Sequence, residues 1–74
     1  MNFFIFVERV NQMIAKAGGN IIARFDHDTD LGRFIAHCDD DTEIIAPAGA
    51  SLDCAGKLKV TVRFGSGHQA MAMI

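Results

Sequence analysis

Apolar positions in the first seventeen residues recur three and four apart. Phe3, Phe6, Val7, Val10, Met13, Ile14 and Ala17 form one stripe, with Glu8, Arg9, Asn11, Gln12 and Lys16 on the other side. That spacing predicts an amphipathic helix. Asn2 is placed to cap its start, and Gly18-Gly19 to end it, because glycine accepts the left-handed conformation without a Cβ clash. Phe4 and Ile5 interrupt the stripe, so residues 2–7 fit a strand as well as a helix.

After the glycines the period shortens to two. Residues 20–26 place Ile21, Ala23 and Phe25 on one face and Ile22 and Arg24 on the other. The turn-forming stretch 27–31 follows. Residues 32–38 then turn Phe34, Ala36 and Cys38 inward and Arg33, Ile35 and His37 outward. Two such segments joined by a short polar turn predict an antiparallel hairpin. Residues 43–46 make a short strand before Pro47. In residues 57–64, Leu58, Val60, Val62 and Phe64 alternate with Lys57, Lys59, Thr61 and Arg63, and residues 69–74 supply a last edge strand. The expected fold class is α+β, one N-terminal amphipathic helix on a three- to five-stranded, mainly antiparallel sheet. The helix would cover the face bearing Phe25, Phe34, Val60 and Val62.

The chain of 74 residues is read as a single small domain, 1–74. A chain this short buries only about 60% of its unfolded surface. Half the residues are hydrophobic, which argues against disorder, and with Tyr and Trp absent six Phe residues supply the bulk of the core. Two cysteines, Cys38 and Cys54, are too few for a disulfide scaffold. They could form one bridge, but the composition favours two reduced, buried thiols in a cytoplasmic protein. The apolar start lacks the basic flank and cleavage site of a signal peptide. No apolar run reaches the roughly 18 residues of a membrane span.

Charge alters this picture more than composition does. Seven of the nine acidic residues lie between Asp26 and Glu43, in the groups Asp26, Asp28, Asp30 and Asp39, Asp40, Asp41, Glu43. Arg33 is the one base among them. The first group has the D-x-D spacing that opens a calcium loop, but Leu31 stands where that loop needs glycine and His37 where it needs glutamate. His27, His37, His68, Cys38 and Cys54 lack zinc-ligand spacing, and neighbours on a strand such as His37 and Cys38 point to opposite faces. No metal or cofactor is expected. Ser51 and Ser66 lack a nucleophile elbow, and neither cysteine has an identifiable base, so no enzyme activity is expected.

Three interaction surfaces follow. The leading one is acidic. If 27–31 is the hairpin tip, the two acidic groups lie about 23 Å apart at opposite ends of the second strand. They would dock on the basic, nucleic-acid-binding surface of a larger partner protein or nucleoprotein complex. In size and charge pattern, though in no motif, the chain resembles the small inhibitors of phages and mobile elements, anti-CRISPR proteins among them. That resemblance implies a non-enzymatic inhibitor. The second surface is basic: Arg24, Arg33, Lys57, Lys59 and Arg63 all fall on the predicted open sheet face, in reach of a phosphate backbone. Exposed aromatics for base stacking are missing there. The third is the apolar C-terminal edge, Ala70–Ile74, which could pair two copies of the chain.

Overall fold

The computed structural model describes residues 2–18 and 22–74 and omits the side chain of Ala23. Helix α1 spans Phe3–Ala17. Five strands follow, β1 (Ile22–Asp28), β2 (Arg33–Cys38), β3 (Glu43–Ala46), β4 (Lys59–Arg63) and β5 (Gln69–Met73). They form one antiparallel sheet in sequence order, so each strand pairs with the next along the chain. The architecture is α+β, a single helix on one face of this meander.

Local chemistry sets the helix ends. The side-chain oxygen of Asn2 accepts a hydrogen bond from Ile5 N at 2.9 Å, satisfying one of the amide groups that a helix start leaves without a partner. With that cap in place, residues 3–7 are helical rather than extended. At the other end Gly18 sits at φ 66° and donates its N–H to Ile14 O at 2.9 Å. Lys16, in the last turn, complements the negative end of the helix dipole.

The core lies between α1 and the inner sheet face. Phe6, Val10, Ala36, Cys38, Ile44, Ala46, Leu58 and Val60 are buried. Phe25, Phe34 and Val62 pack against them, as the sequence pattern predicts. Phe3 bridges helix and sheet, with its ring 5.3 Å from Phe34 and 6.3 Å from Phe25 in edge-on geometry. The ring of His27, predicted within the first turn, stands 4.7 Å from Phe34 and closes this aromatic group.

Four sequence expectations are corrected. Ile22, assigned outward beside Arg24, packs on the core. A bulge between Ile22 and Arg24 inserts one residue and resets the alternation, so both Ile22 and Phe25 point inward. The expected inward placement of Ile21 and Ala23 lies outside the described residues. Phe64 continues the inward pattern of β4 but is 44% exposed, because it stands past the strand end at the start of a turn. Cys54 is exposed on the loop before β4, whereas Cys38 is buried, and no disulfide joins them. His27 and Asp28 belong to β1 and not to the turn, which is confined to residues 29–32.

Candidate interaction surfaces

The sheet register arranges the open face into rows. One row reads Arg24, His37, Glu43, Arg63, Gln69 from β1 to β5, and the next reads Asp26, Ile35, Ile45, Thr61, Met71. In a third, Asp28 pairs with Arg33 and Lys59 with Met73. Cross-strand neighbours of this kind lie close enough for their side chains to interact. Ile35 and Ile45 face each other at 7% and 6% exposure, so the open side has a small apolar centre of its own.

Around that centre the charges neutralise one another. Arg24 lies 3.3 Å from Asp26, Arg33 lies 3.1 Å from Asp28, and Arg63 lies 3.1 Å from Glu43. His37 joins the two acidic groups, with Nε2 2.8 Å from Asp26 and Nδ1 3.5 Å from Glu43. The Asp26 contact is short but badly directed, so the buried Nε2 makes no hydrogen bond. The two carboxylates take opposite edges of the imidazole and cannot share a metal ion. Among the described residues no three His, Cys, Asp or Glu side chains could hold one.

The predicted acidic surface is therefore divided by role. Asp26, Asp28 and Glu43 form ion pairs on the open face. Asp28 also accepts Leu31 N at 3.2 Å, and that bond, helped by the Arg33 guanidinium, holds its carboxyl below the ordinary value of 3.8. Asp40 accepts Thr42 N at 3.1 Å and shapes the turn between β2 and β3. In the same turn Asp41 holds φ 66°, the one non-glycine residue at positive φ among those described. Asp30, Asp39 and Asp41 are exposed at the two turns, which stand at opposite ends of β2.

The predicted basic surface is thinned in the same way. Arg24, Arg33 and Arg63 are each matched by an acid, and Lys59 is the one base on the open face outside an ion pair among the described residues. Lys57 is not on this face. It precedes β4 and lines a cavity beside α1, because the loop at 53–57 folds back before the strand begins. Asp53 holds that loop by accepting Ala55 N and Lys57 N, both at 2.9 Å.

No family model, curated protein or solved structure matches this chain.

The two sheet edges differ in kind. β1 carries a bulge and the charged residues Arg24, Asp26 and Asp28, devices that discourage a further strand from adding. β5 is regular, uncharged and free of proline, and among the described residues it pairs with β4 alone. Beyond Met73 the pairing continues, with Leu58 and Ile74 exchanging backbone bonds at 2.7 and 2.8 Å. Met71 and Met73 are 64% and 51% exposed, and the exposed Phe64 adjoins the same hairpin. The signal for this edge was present in the sequence as Ala70–Ile74. The part played by Arg9 was not: its guanidinium donates to Gly56 O at 2.6 Å and Ile74 O at 3.0 Å, tying the helix to the last strand.

No described helix is long and apolar enough to cross a membrane.

Proposed function

We propose that the chain is a non-enzymatic assembly domain that pairs with a second copy of itself through β5. The contrast between the protected β1 edge and the bare β5 edge carries this reading. The strand is also suited to pairing with itself. About a two-fold axis through Met71, Ala70 faces Ala72 of the other copy, Gln69 faces Met73, and the central methionines meet. That arrangement is isologous and brings no like charges together. It would cover Met71 and Met73 and join two five-stranded sheets into one. A single strand pair buries less than the roughly 800 Å² per partner of a standard interface, so the association should depend on concentration.

Sedimentation equilibrium over two decades of concentration tests this. A mass rising toward the dimer, and a Met71→Lys variant that stays monomeric with an unchanged circular dichroism spectrum, are the expected results. A wild-type mass that stays monomeric throughout overturns the proposal.

The exposure of Asp30, Asp39 and Asp41 favours a second reading. In it the two turns dock on a basic, nucleic-acid-binding surface of a larger cytoplasmic partner, in the manner of phage and mobile-element inhibitors. Asp28 and Asp40 accept turn amides, so charge reversal is placed at three other exposed acids of the two turns. An Asp30→Lys, Asp39→Lys, Asp41→Lys variant should lose any partner captured from lysate at low salt. Capture at wild-type strength by that variant removes the reading.

A further inference from the structure

After Gln69, strand β5 consists of alanine and methionine only. Strands favour β-branched and aromatic side chains, so the choice of residue is not explained by strand formation. Ala72 turns to the core, which leaves Met71 and Met73 on the open face, opposite Thr61 and Lys59 in register. Packing within the chain does not explain the methionines either, since they are 64% and 51% exposed. Met13, in contrast, is half-buried against the core. What methionine supplies at this edge, and valine or threonine would not, is a thioether.

A thioether within reach of solvent is open to two-electron oxidants such as hydrogen peroxide. A sulfur lone pair attacks one peroxide oxygen, the O–O bond breaks, an S–O bond forms and water leaves. Sulfur is oxidised by two electrons and the peroxide is reduced by the same two. The sulfoxide is polar and accepts hydrogen bonds, and reductases return it to the thioether.

That product suits the single chain and not the pair. On one chain the register sets Met71 beside the Thr61 hydroxyl and Met73 beside the Lys59 ammonium, both hydrogen-bond donors. In the two-fold pairing Met71 meets its own counterpart, so oxidation would set two acceptors against each other with no donor between them.

From this difference we infer that Met71 is a reversible oxidation site, and that its conversion to the sulfoxide by a peroxide separates the two copies. Met73 is oxidised alongside it. The inference rests on the β5 pairing and adds the regulation of that interface.

The test is sedimentation equilibrium before and after treatment with hydrogen peroxide, with peptide mass spectrometry to locate the added oxygen. A Cys54→Ser background removes the exposed thiol that would consume the same oxidant. Oxygen should enter Met71 and Met73 before Met13. The dissociation constant of the dimer should rise about tenfold with an unchanged circular dichroism spectrum, and methionine sulfoxide reductases should restore it. A Met71→Leu, Met73→Leu variant should dimerise and keep its affinity through the same treatment. Undiminished dimerisation with Met71 fully oxidised overturns the inference and leaves the pairing standing. An equal loss of affinity in the leucine variant, or oxidation of Met13 ahead of Met71, does the same. Untreated protein that is monomeric at every concentration overturns the pairing, and the inference with it.

Discussion

At the scale of single residues, the acids in this chain are mostly occupied. Asp28 is the clearest case, because one carboxylate both accepts the Leu31 amide and pairs with Arg33 across the hairpin. Its pKa is lowered on folding, so the folded state holds its proton more weakly than the unfolded chain does. The stability it contributes is therefore complete above the ordinary value of 3.8 and lost as pH falls through the lower folded value. Asp28→Asn keeps an oxygen for Leu31 N but loses the charge. The melting temperatures of the two proteins should differ by a constant amount from neutral pH down to about pH 5, and converge below the ordinary carboxylate range. A gap that persists in strong acid would assign the effect to shape and not to ionisation. Asp41 poses a different problem. Its left-handed backbone suits glycine better, and the β4–β5 turn packs so closely that a Cβ on Gly65 would stand 3.0 Å from Asp40 O and 3.3 Å from Asp41 Cβ. The two turns at this end of the sheet therefore shape each other.

At the scale of elements, the fold depends on how a helix of 15 residues is held over a sheet wider than itself. Apolar packing fixes its near side, and Arg9 fixes the other by bonding to two main-chain oxygens that are 18 residues apart in sequence, Gly56 O and Ile74 O. Arg9→Met keeps much of the side-chain bulk and removes the donors. Losing charge-assisted bonds to two part-buried main-chain oxygens should cost about 2 kcal/mol, or roughly 10 °C in a domain of this size. Arg9→Lys should recover part of the loss. Thermal denaturation of the three proteins checks the order. The helix and the antiparallel sheet were legible in the sequence, because periodicity, Asn2, Gly18 and the turn residues agree locally. Residues 2–7 fitted a strand as well, however, and the strand count stood only at three to five. What escaped was of another kind. The bulge that turns Ile22 inward leaves no mark in an alternation read from residue 20. The pairing of Arg24 with Asp26 and of Arg63 with Glu43 depends on register, and so does the meeting of Asp26 and Glu43 at His37. Lys57 and Arg9 look like ordinary solvated charges until the loop at 53–57 is seen to fold back beside the helix.

For the whole molecule, charge and edge structure point in the same direction. The open face is largely self-neutralised, β1 is guarded, and exposed apolar side chains flank the unguarded β5 edge. A meander of five strands with one helix buries a thin core, so covering an edge would add to stability as well as to assembly. If β5 pairs two copies, folding and association are linked, because the dimer forms from native chains only. Mass action then makes the melting temperature rise with protein concentration. A monomer has no such dependence. The expected outcome is a wild-type melting temperature that climbs across a concentration series, beside a Met71→Lys protein that melts at one temperature throughout. The same pair separates assembly from simple surface hydrophobicity. If Met71 merely promotes aggregation, raising concentration would lower the apparent transition and make it irreversible, whereas a specific two-fold pairing raises it and leaves refolding intact.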